Sequence, residues 1–363
     1  MNYNQLRRVT RSVSVGGVAI GGTAPIAVQS MTNTDMHDVA ATAAQIRALR
    51  AAGCDIVRLT VPDVAAADTI TSLKEMELGI PLVADIHFDY RVALACAERG
   101  VDKIRINPGN IGDFDRVREV ANACRTRRIP IRIGVNGGSL EKEILARHGA
   151  PTAPALAESA LYHASLLERC DFEDIVLSVK SSDVQTMIAA NRILAEKTSY
   201  PLHLGVTEAG SEQMGSIKGA IGIGALLTDG IGDTLRVSLT ADPVSEIAAA
   251  KRILSALCVE GQSGLDIVSC PTCGRTKVDL ISLVARFERA ARDADLMDLP
   301  LRVALMGCAV NGPGEAREAD VAICGGVGEA LLIRKGEIVR KVAEDAIIDT
   351  LIEELKNIKE QMK

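Results

Sequence analysis

The chain has 363 residues, with 41 Lys and Arg against 47 Asp and Glu, so its formal net charge is −6. Aromatic residues make up only 2% and Trp is absent. The net charge and the lack of base-stacking side chains argue against a general nucleic-acid-binding protein. No stretch reaches the roughly 18 apolar residues of a membrane span, and no apolar signal segment is evident, so we expect a cytoplasmic protein.

From residue 23 to residue 258, short β-branched runs alternate with Ala-rich amphipathic segments. Segment 13–20, which Gly16 and Gly17 divide, predicts a hairpin before the first long strand. Eight strands are predicted, beginning near Ile26, Cys54, Ile80, Val101, Ile129, Phe172, Pro201 and Asp233. Helical patterns lie between them, for example at 39–52, 64–78, 91–99, 155–169, 183–196 and 243–257. Eight βα units favour a (β/α)8 TIM barrel, and a doubly wound sheet is the alternative.

The pattern changes after residue 262. The sequence then predicts a strand at 265–269, a helix at 278–294, a strand at 301–306, β runs at 320–324 and 329–334, and a helix at 346–358. This mixture is typical of a smaller α+β domain. We therefore predict two domains, a TIM barrel with its N-terminal hairpin at 1–260 and an α+β domain at 261–363.

Polar side chains stand where the predicted barrel strands end, which is where TIM barrels carry their functional residues. Most come in pairs that face the same side of a strand. They are Arg58 and Thr60, Asp85 and His87, Arg105 and Asn107, Arg132 and Asn136, Lys180 and Ser182, Thr207 and Glu208, and Arg236 and Ser238. Buried parallel strands are normally apolar throughout. An internal salt-bridge network could explain any one of these residues, but the whole set predicts a substrate site at this end of the barrel.

The predicted site has a surplus of positive charge. Four arginines and Lys180 stand against Asp85 and Glu208, which predicts an anionic substrate, most naturally a phosphate or diphosphate. No G-x-G-x-x-G follows a strand and no Walker A sequence occurs, so no nucleotide cofactor is predicted. We interpret His163 and His203 as core or surface histidines.

The nine cysteines do not indicate a disulfide framework in a reducing compartment. Cys270 and Cys273 form a C-x2-C pair, and Cys308 lies in a Gly/Pro-rich turn that ends at Glu315. These residues predict three thiolate ligands with Glu315 as the best-placed fourth. Structural zinc and an iron–sulfur cluster with one exchangeable iron are both compatible with the spacing. The remaining cysteines are predicted to be small packing residues: Cys54, Cys96, Cys124, Cys170, Cys258 and Cys324.

Six motifs carry a resemblance to a known family. They are DIHFDYR (85–91), RINPGNIG (105–112), RIGVNGGSL (132–140), VTEAG (206–210), CPTCGR (270–275) and GCAVNGPGE (307–315). In this order they resemble the 4-hydroxy-3-methylbut-2-enyl diphosphate synthase family of isoprenoid biosynthesis (the methylerythritol phosphate pathway), in its compact two-domain bacterial form, over nearly the whole chain.

The resemblance implies a [4Fe–4S] cluster held in the second domain by Cys270, Cys273, Cys308 and Glu315. It implies that 2-C-methyl-D-erythritol 2,4-cyclodiphosphate is opened and dehydroxylated with two electrons, with flavodoxin or ferredoxin as the electron donor. It also implies a homodimer in which the cluster domain of one subunit caps the barrel of the other.

The residues and the resemblance together predict individual roles. Glu208, with Asp85 and His87, is expected to deliver protons, and Glu315 is expected to act as a carboxylate ligand that substrate can displace. The predicted substrate-binding residues are Arg58, Arg105, Asn107, Arg132, Asn136, Lys180, Arg236 and Ser238. The alternative is a phosphate-binding TIM-barrel transferase, similar to dihydropteroate synthase, with a structural zinc module. A non-catalytic metal-binding scaffold is the third and weakest reading.

Overall fold

The computed structural model describes residues 6–107, 110–259 and 264–362. The chain divides into two compact units, Met1–Val259 and Glu260–Lys363. The predicted boundary between residues 260 and 261 lies outside the described residues, as do residues 108 and 109 of the RINPGNIG motif. Within the described ranges, no helix is long and apolar enough to cross a membrane.

The first unit opens with an antiparallel hairpin, β1 Val13–Val15 and β2 Val18–Ile20. Eight parallel strands follow: β3 Ala27–Met31, β4 Ile56–Thr60, β5 Leu82–Asp85, β6 Lys103–Ile106, β7 Ile131–Asn136, β8 Ile175–Lys180, β9 His203–Leu204 and β10 Thr234–Leu235. The first and last of the eight are neighbours, because Thr234 of β10 pairs with Ala27 of β3.

The sheet closes between β8 and β9. The amide of Leu177 donates to the carbonyl of Pro201 over 2.9 Å, and Leu177 forms a parallel bridge with Leu202. The predicted TIM barrel is therefore confirmed, and the doubly wound sheet is not observed. Strands β9 and β10 are only two residues long, shorter than predicted, although the amide of Arg236 still donates to the carbonyl of Leu204 over 3.0 Å.

Nine helices are described in this unit: α1 Val39–Ala51, α2 Val64–Glu75, α3 Tyr90–Glu98, α4 Phe114–Arg127, α5 Lys142–His148, α6 Ala153–Glu168, α7 Val184–Lys197, α8 Glu212–Thr228 and α9 Pro243–Ala256. All except α5 begin at an Asp, Ser or Thr whose side chain accepts a hydrogen bond from a backbone N–H of the first turn. These caps fix where each helix leaves the strand end before it. Phe172 and Tyr200 are the fully buried aromatic residues of the described barrel core, which is otherwise built from aliphatic side chains, Ala, Met and Cys.

The second unit is a five-stranded sheet with helices. Its elements are β11 Asp266–Ser269, α10 Leu280–Asp293, β12 Arg302–Met306, α11 Gly312–Glu315, β13 Val321–Gly325, β14 Glu329–Arg334, β15 Glu337–Ala343 and α12 Ile347–Gln361. The order is β11-β12-β13-β14-β15, parallel in the first three strands and antiparallel in the last two pairs. The predicted α+β fold is confirmed.

Strand β15 was not among the predicted elements. Most of its side chains are exposed, so its sequence lacks the apolar alternation of a half-buried strand. Lys335 and Gly336, between β14 and β15, both have left-handed backbone angles, with φ of 48° and 82°. A two-residue turn of this kind matches the twist of a hairpin.

Candidate active site

A pocket of about 230 Å³ lies at the carboxyl ends of the barrel strands. Every strand of the barrel contributes to its wall, directly or through the residues that follow it. The lining residues are Met31, Arg58, Thr60, Asp85, His87, Arg105, Arg132, Gly134, Asn136, Ser178, Lys180, Thr207, Arg236 and Ser238. The structure thus brings together most of the predicted substrate-binding residues with two of the predicted proton donors.

Asp85 joins two of the pocket arginines. Its Oδ2 lies 3.5 Å from Nε of Arg58, and its Oδ1 accepts a hydrogen bond from Nη1 of Arg105 over 3.0 Å. The strand register explains the contact with Arg105, because Asp85 and Arg105 are paired on neighbouring strands β5 and β6. Burial acts to raise the pKa of Asp85, but the charges of Arg58, Arg105 and Arg132 outweigh it and hold the pKa below its ordinary value. Asp85 is therefore a buried carboxylate that orients its cationic neighbours.

Arg105 is also held by the next strand. Its Nη2 donates to the carbonyl of Gly134 over 3.2 Å. A Cβ atom on residue 134 would lie 2.3 Å from Nε of Arg105, so a side chain at this position would displace the guanidinium. Gly134 therefore makes room for Arg105 in the pocket wall.

Arg236 has its own carboxylate, Glu246 of α9. Nε and Nη2 of Arg236 donate to the two oxygens of Glu246 over 2.9 and 2.8 Å, and Ser30 Oγ donates to the same group over 2.7 Å. Glu246 is 2% exposed. The Met31 sulfur lies 2.9 Å from Nη2 of Arg58 and 3.5 Å from Nη1 of Arg236. Sequence reasoning missed both Glu246 and Met31, and only the buried face of α9 could have suggested Glu246.

Two cations of the pocket have no such partner. Among the described residues, no carboxylate lies within ion-pair distance of Arg132 or Lys180. Nε and Nη1 of Arg132 are buried without a hydrogen-bond partner in the described chain. Burial lowers the pKa of Lys180 well below its ordinary value, and the neighbouring charges of Arg58 and Arg132 lower it further. The described part of the pocket therefore holds more basic groups than carboxylates.

Two predicted site residues of the barrel lie outside the pocket wall. Asn107 is buried directly after β6. Glu208 is exposed and follows the pocket residue Thr207, with a left-handed φ of 51°. Such a conformation is uncommon for a residue other than Gly and tends to occur at functional sites. Sequence patterns do not predict this left-handed backbone conformation.

In the second unit, two loops carry the predicted ligands. Strand β11 leads into Cys270 and the parallel strand β12 leads into Cys308, with Ser269 opposite Leu305. The amide of Gly307 donates to the Cys270 sulfur over 3.3 Å, and the amide of Lys277 donates to the carbonyl of Gly307 over 2.8 Å. The C-x2-C loop is therefore fastened to the residue that precedes Cys308.

The environment of two of these cysteines favours the thiolate, which is the form that binds metals. The backbone N–H groups of Asn311, Val310 and Gly312 lower the pKa of Cys308. The backbone and side chain of Arg275 lower the pKa of Cys273.

The hydrogen bond and the charge of Cys273 raise the pKa of Arg275, and the charges of Cys308 and Glu315 raise it further. Glu315 lies at the end of α11. In contrast, burial and then the charge of Cys308 raise the pKa of Cys324 to about 12. Three thiols and one carboxylate on two fastened loops have the chemistry of an iron–sulfur ligand set. Within the described ranges, no three His, Cys, Asp or Glu side chains are grouped closely enough to hold a single metal ion.

The other cysteines lie mostly in the cores. Cys54, Cys96, Cys124, Cys170 and Cys324 are buried, and Cys258 is partly exposed. Burial raises the pKa of Cys96 and of Cys124 to about 12.

Two protein-family models match most of the chain. A family model described as the GcpE TIM-barrel domain matches residues 10–251, and one described as the GcpE protein C-terminal domain matches residues 266–357. The chain belongs to the GcpE family.

Named relatives are similar in sequence to this chain over nearly its full length. The chain is 55% identical over 349 residues to the 4-hydroxy-3-methylbut-2-en-1-yl diphosphate synthase (flavodoxin) of Ruminiclostridium cellulolyticum, which covers 96% of this chain and 98% of that protein. It is 54% identical to the protein of the same name from Clostridium perfringens, covering 97% and 99%. The predictions that the chain is an enzyme, an oxidoreductase and a 4-hydroxy-3-methylbut-2-en-1-yl diphosphate synthase are confirmed, and the transferase alternative is not favoured.

Among solved structures, the chain is similar to an N-acetylneuraminic acid (sialic acid) synthetase from Leptospira borgpetersenii. The TM-score is 0.50 at 12% identity, covering 69% of this chain and 91% of that chain. At this identity the likeness concerns the fold alone.

Proposed function

We propose that the barrel pocket binds 2-C-methyl-D-erythritol 2,4-cyclodiphosphate, and that the enzyme reduces it with two electrons to (E)-4-hydroxy-3-methylbut-2-enyl diphosphate. The observation that carries this proposal is the pair of unmatched cations, Arg132 and Lys180, beside three arginines whose carboxylates are already in place. A small cyclic diphosphate has two negative charges to offer them. The volume of about 230 Å³ suits such a compact ligand.

The chain's own groups bind and orient this ligand. Guanidinium groups match phosphate oxygens with two parallel hydrogen bonds, and Arg58, Arg105 and Arg132 present theirs in the pocket wall. Lys180 adds a compact charge, while Asn136 and Ser238 offer neutral donors. Arg236 is expected to bind through the part of its guanidinium that Glu246 does not occupy. Asn107 remains a proposed ligand through its position beside Arg105.

We propose that Cys270, Cys273, Cys308 and Glu315 hold a [4Fe–4S] cluster. When bound, the cluster would supply electrons one at a time together with a Lewis-acidic iron. The relatives' names include flavodoxin, which supports flavodoxin as the electron donor of this chain, with ferredoxin as the alternative.

The reaction consumes protons as well as electrons. The cyclic substrate carries two ionised phosphoryl oxygens, and ring opening frees a third. Breaking the ring carbon–oxygen bond and releasing the hydroxyl as water therefore requires two electrons and one net proton. Asp85 is held as a carboxylate by three arginines, so its better role is to position Arg58 and Arg105. His87 and Glu208 are then the proposed proton donors.

The proposed assembly is a cytoplasmic homodimer in which one subunit's cluster domain serves the other subunit's barrel. Mixing a Lys180→Met chain with a Cys308→Ala chain tests this arrangement, because each variant lacks a different half of the site. Dimers that exchange subunits should recover part of the activity. A dimer that stays inactive after demonstrated subunit exchange would contradict sharing between subunits.

The function is tested on anaerobically purified enzyme. Iron and sulfide content, absorbance near 400 nm, and conversion of the cyclodiphosphate with reduced flavodoxin should all be positive. Zinc in place of iron, with no conversion, would overturn the proposal. Iron without conversion would support the proposed cluster and contradict the proposed substrate.

A further inference from the structure

A lysine lies inside the barrel below the pocket. Lys103 opens β6, two residues before Arg105, so the two side chains face the same side of the strand. Lys103 is 0% exposed, and its Nζ has no hydrogen-bond partner among the described residues. TIM-barrel interiors are normally packed with Val, Ile and Leu, so a fully buried lysine side chain here needs an explanation.

Other polar atoms at this level are also unmatched. His203, at the start of β9, is 0% exposed, and its Nε2 has no partner in the described chain. The side-chain amide of Gln29 on β3 is 1% exposed and lacks partners within the same ranges. Above them lie the unpartnered Nε and Nη1 of Arg132. The interior therefore holds a column of polar groups that ends at the pocket.

The charges around Lys103 do not balance. The described basic side chains of the interior and the pocket are Lys103, Lys180, Arg58, Arg105, Arg132 and Arg236. The described carboxylates that face them are Asp85, which pairs with Arg58 and Arg105, and Glu246, which pairs with Arg236.

The charged neighbours that act on Lys103 are Arg132 and Arg58, both cations. Burial lowers the pKa of Lys103 well below its ordinary value and these two charges lower it further. Burial, followed by Arg132, does the same to the pKa of His203. A dianion above Arg132 would offset the positive charges that act on Lys103.

We propose that Lys103 is a positioning residue that balances charge beneath the pocket: its ammonium forms when the cyclic diphosphate binds above Arg132, so that substrate binding takes up protons from the solvent. Lys103 does not touch the substrate and acts through Arg132. The same ammonium would offset the third negative charge that ring opening creates. The inference rests on the proposed substrate, and its test separates the two.

The test is isothermal titration calorimetry on the anaerobic holoenzyme without reductant, so that the cyclodiphosphate binds but is not converted. Titrations at pH 7.5 in buffers with different ionisation enthalpies give the number of protons taken up per site. Each phosphorus of the ligand carries one strongly acidic group, so the ligand takes up none itself. We expect an uptake of about one proton per site for the wild type.

Lys103→Met should lower the uptake by about half or more, with Lys180 and His203 as the remaining acceptors. Lys251→Met, at an exposed position on α9, should leave it unchanged. Zero uptake by the wild type, or equal uptake by wild type and Lys103→Met, would overturn the inference. If Lys103→Met does not fold, Lys103→Gln replaces it in the same comparison of proton uptake. The wild-type slope of affinity against pH between 6.5 and 9 is a second check, since a flat profile contradicts uptake. No binding by the wild type would instead count against the proposed substrate.

Discussion

Arg105 occupies the space that a side chain on Gly134 would need. The Nε atom of Arg105 lies 2.3 Å from where a Cβ of residue 134 would stand, and its Nη2 donates to the Gly134 carbonyl over 3.2 Å. The missing side chain of Gly134 on β7 thus makes room for the guanidinium of Arg105 on β6. Asp85 holds the same guanidinium from the other side.

Gly134→Ala should therefore act on substrate binding more than on folding. The added methyl group would push the Arg105 guanidinium away from its two partners, and a shift of about 1 Å in a binding group can reduce activity about 100-fold. We expect kcat/KM to fall by about 10- to 100-fold, mostly through KM, as measured by steady-state kinetics.

Gly138→Ala is the matched control, because nothing lies within 4 Å of a Cβ at that position. It should retain wild-type kinetics. Unchanged kinetics in Gly134→Ala, or an equal loss in both variants, would contradict the assigned role of Gly134.

Glu246 should stabilise the barrel through Arg236. The carboxylate is 2% exposed and accepts from Arg236 and Ser30. Removing one partner of a buried ion pair leaves an unmatched charge and costs about 3–5 kcal/mol. Glu246→Ala should lower the free energy of unfolding by about that amount in urea denaturation followed by circular dichroism. Glu196→Ala, at an exposed position of α7, should change it by less than about 0.5 kcal/mol. Equal stabilities of the two variants would contradict the ion-pair role.

Asp85 should contribute stability that depends on pH. Its folded pKa lies below the value of about 3.9 in the unfolded chain. Its contribution is therefore fully present above pH of about 4 and is lost as the pH falls through the folded pKa. The difference in unfolding free energy between wild type and Asp85→Asn should shrink as the pH is lowered from 6 towards 3. A constant difference across this range would show that the arginines do not depress the pKa.

The iron content of cysteine variants distinguishes the proposed ligand cysteines from the packing cysteines. Cys308→Ala should lose most of the bound iron, since the backbone amides around Cys308 favour its thiolate. Cys324→Ala should retain iron at the wild-type level, because burial keeps the Cys324 thiol protonated. Iron and sulfide per chain after anaerobic purification measure both. Equal iron loss in the two variants would make Cys324 part of the ligand set.

Much of the site could be predicted because parallel strands of a barrel end on the same side. Once the strands were recognised, Asp85, Arg105 and Arg132 had to lie next to one another, and the register pairs Asp85 with Arg105 and Arg105 with Arg132. The loop motifs likewise predicted that Cys270 and Cys308 share a neighbourhood.

The rest depends on burial, contacts and backbone conformation that the folded barrel sets. Glu246 lies on a helix, 10 residues after Arg236, and an acidic residue on an amphipathic helix is expected to face solvent. A lysine at the first position of a strand, as Lys103 is, does not by itself indicate a functional residue. Only the complete burial of Lys103 distinguishes it from an ordinary surface lysine. The left-handed backbone of Glu208 is set by the fold around it. None of these features has a local sequence signature.

The most direct test of the account is phosphorus NMR of the cyclodiphosphate during incubation with anaerobic enzyme and reduced flavodoxin. We predict that the two ring phosphorus signals are replaced by those of a linear diphosphate. Lys180→Met, with its cluster intact, should convert substrate at least about 100-fold more slowly, because an unmatched cation of the pocket is lost. A wild-type enzyme with a full complement of iron that leaves the ring signals unchanged, or a Lys180→Met variant with wild-type turnover, would contradict the account.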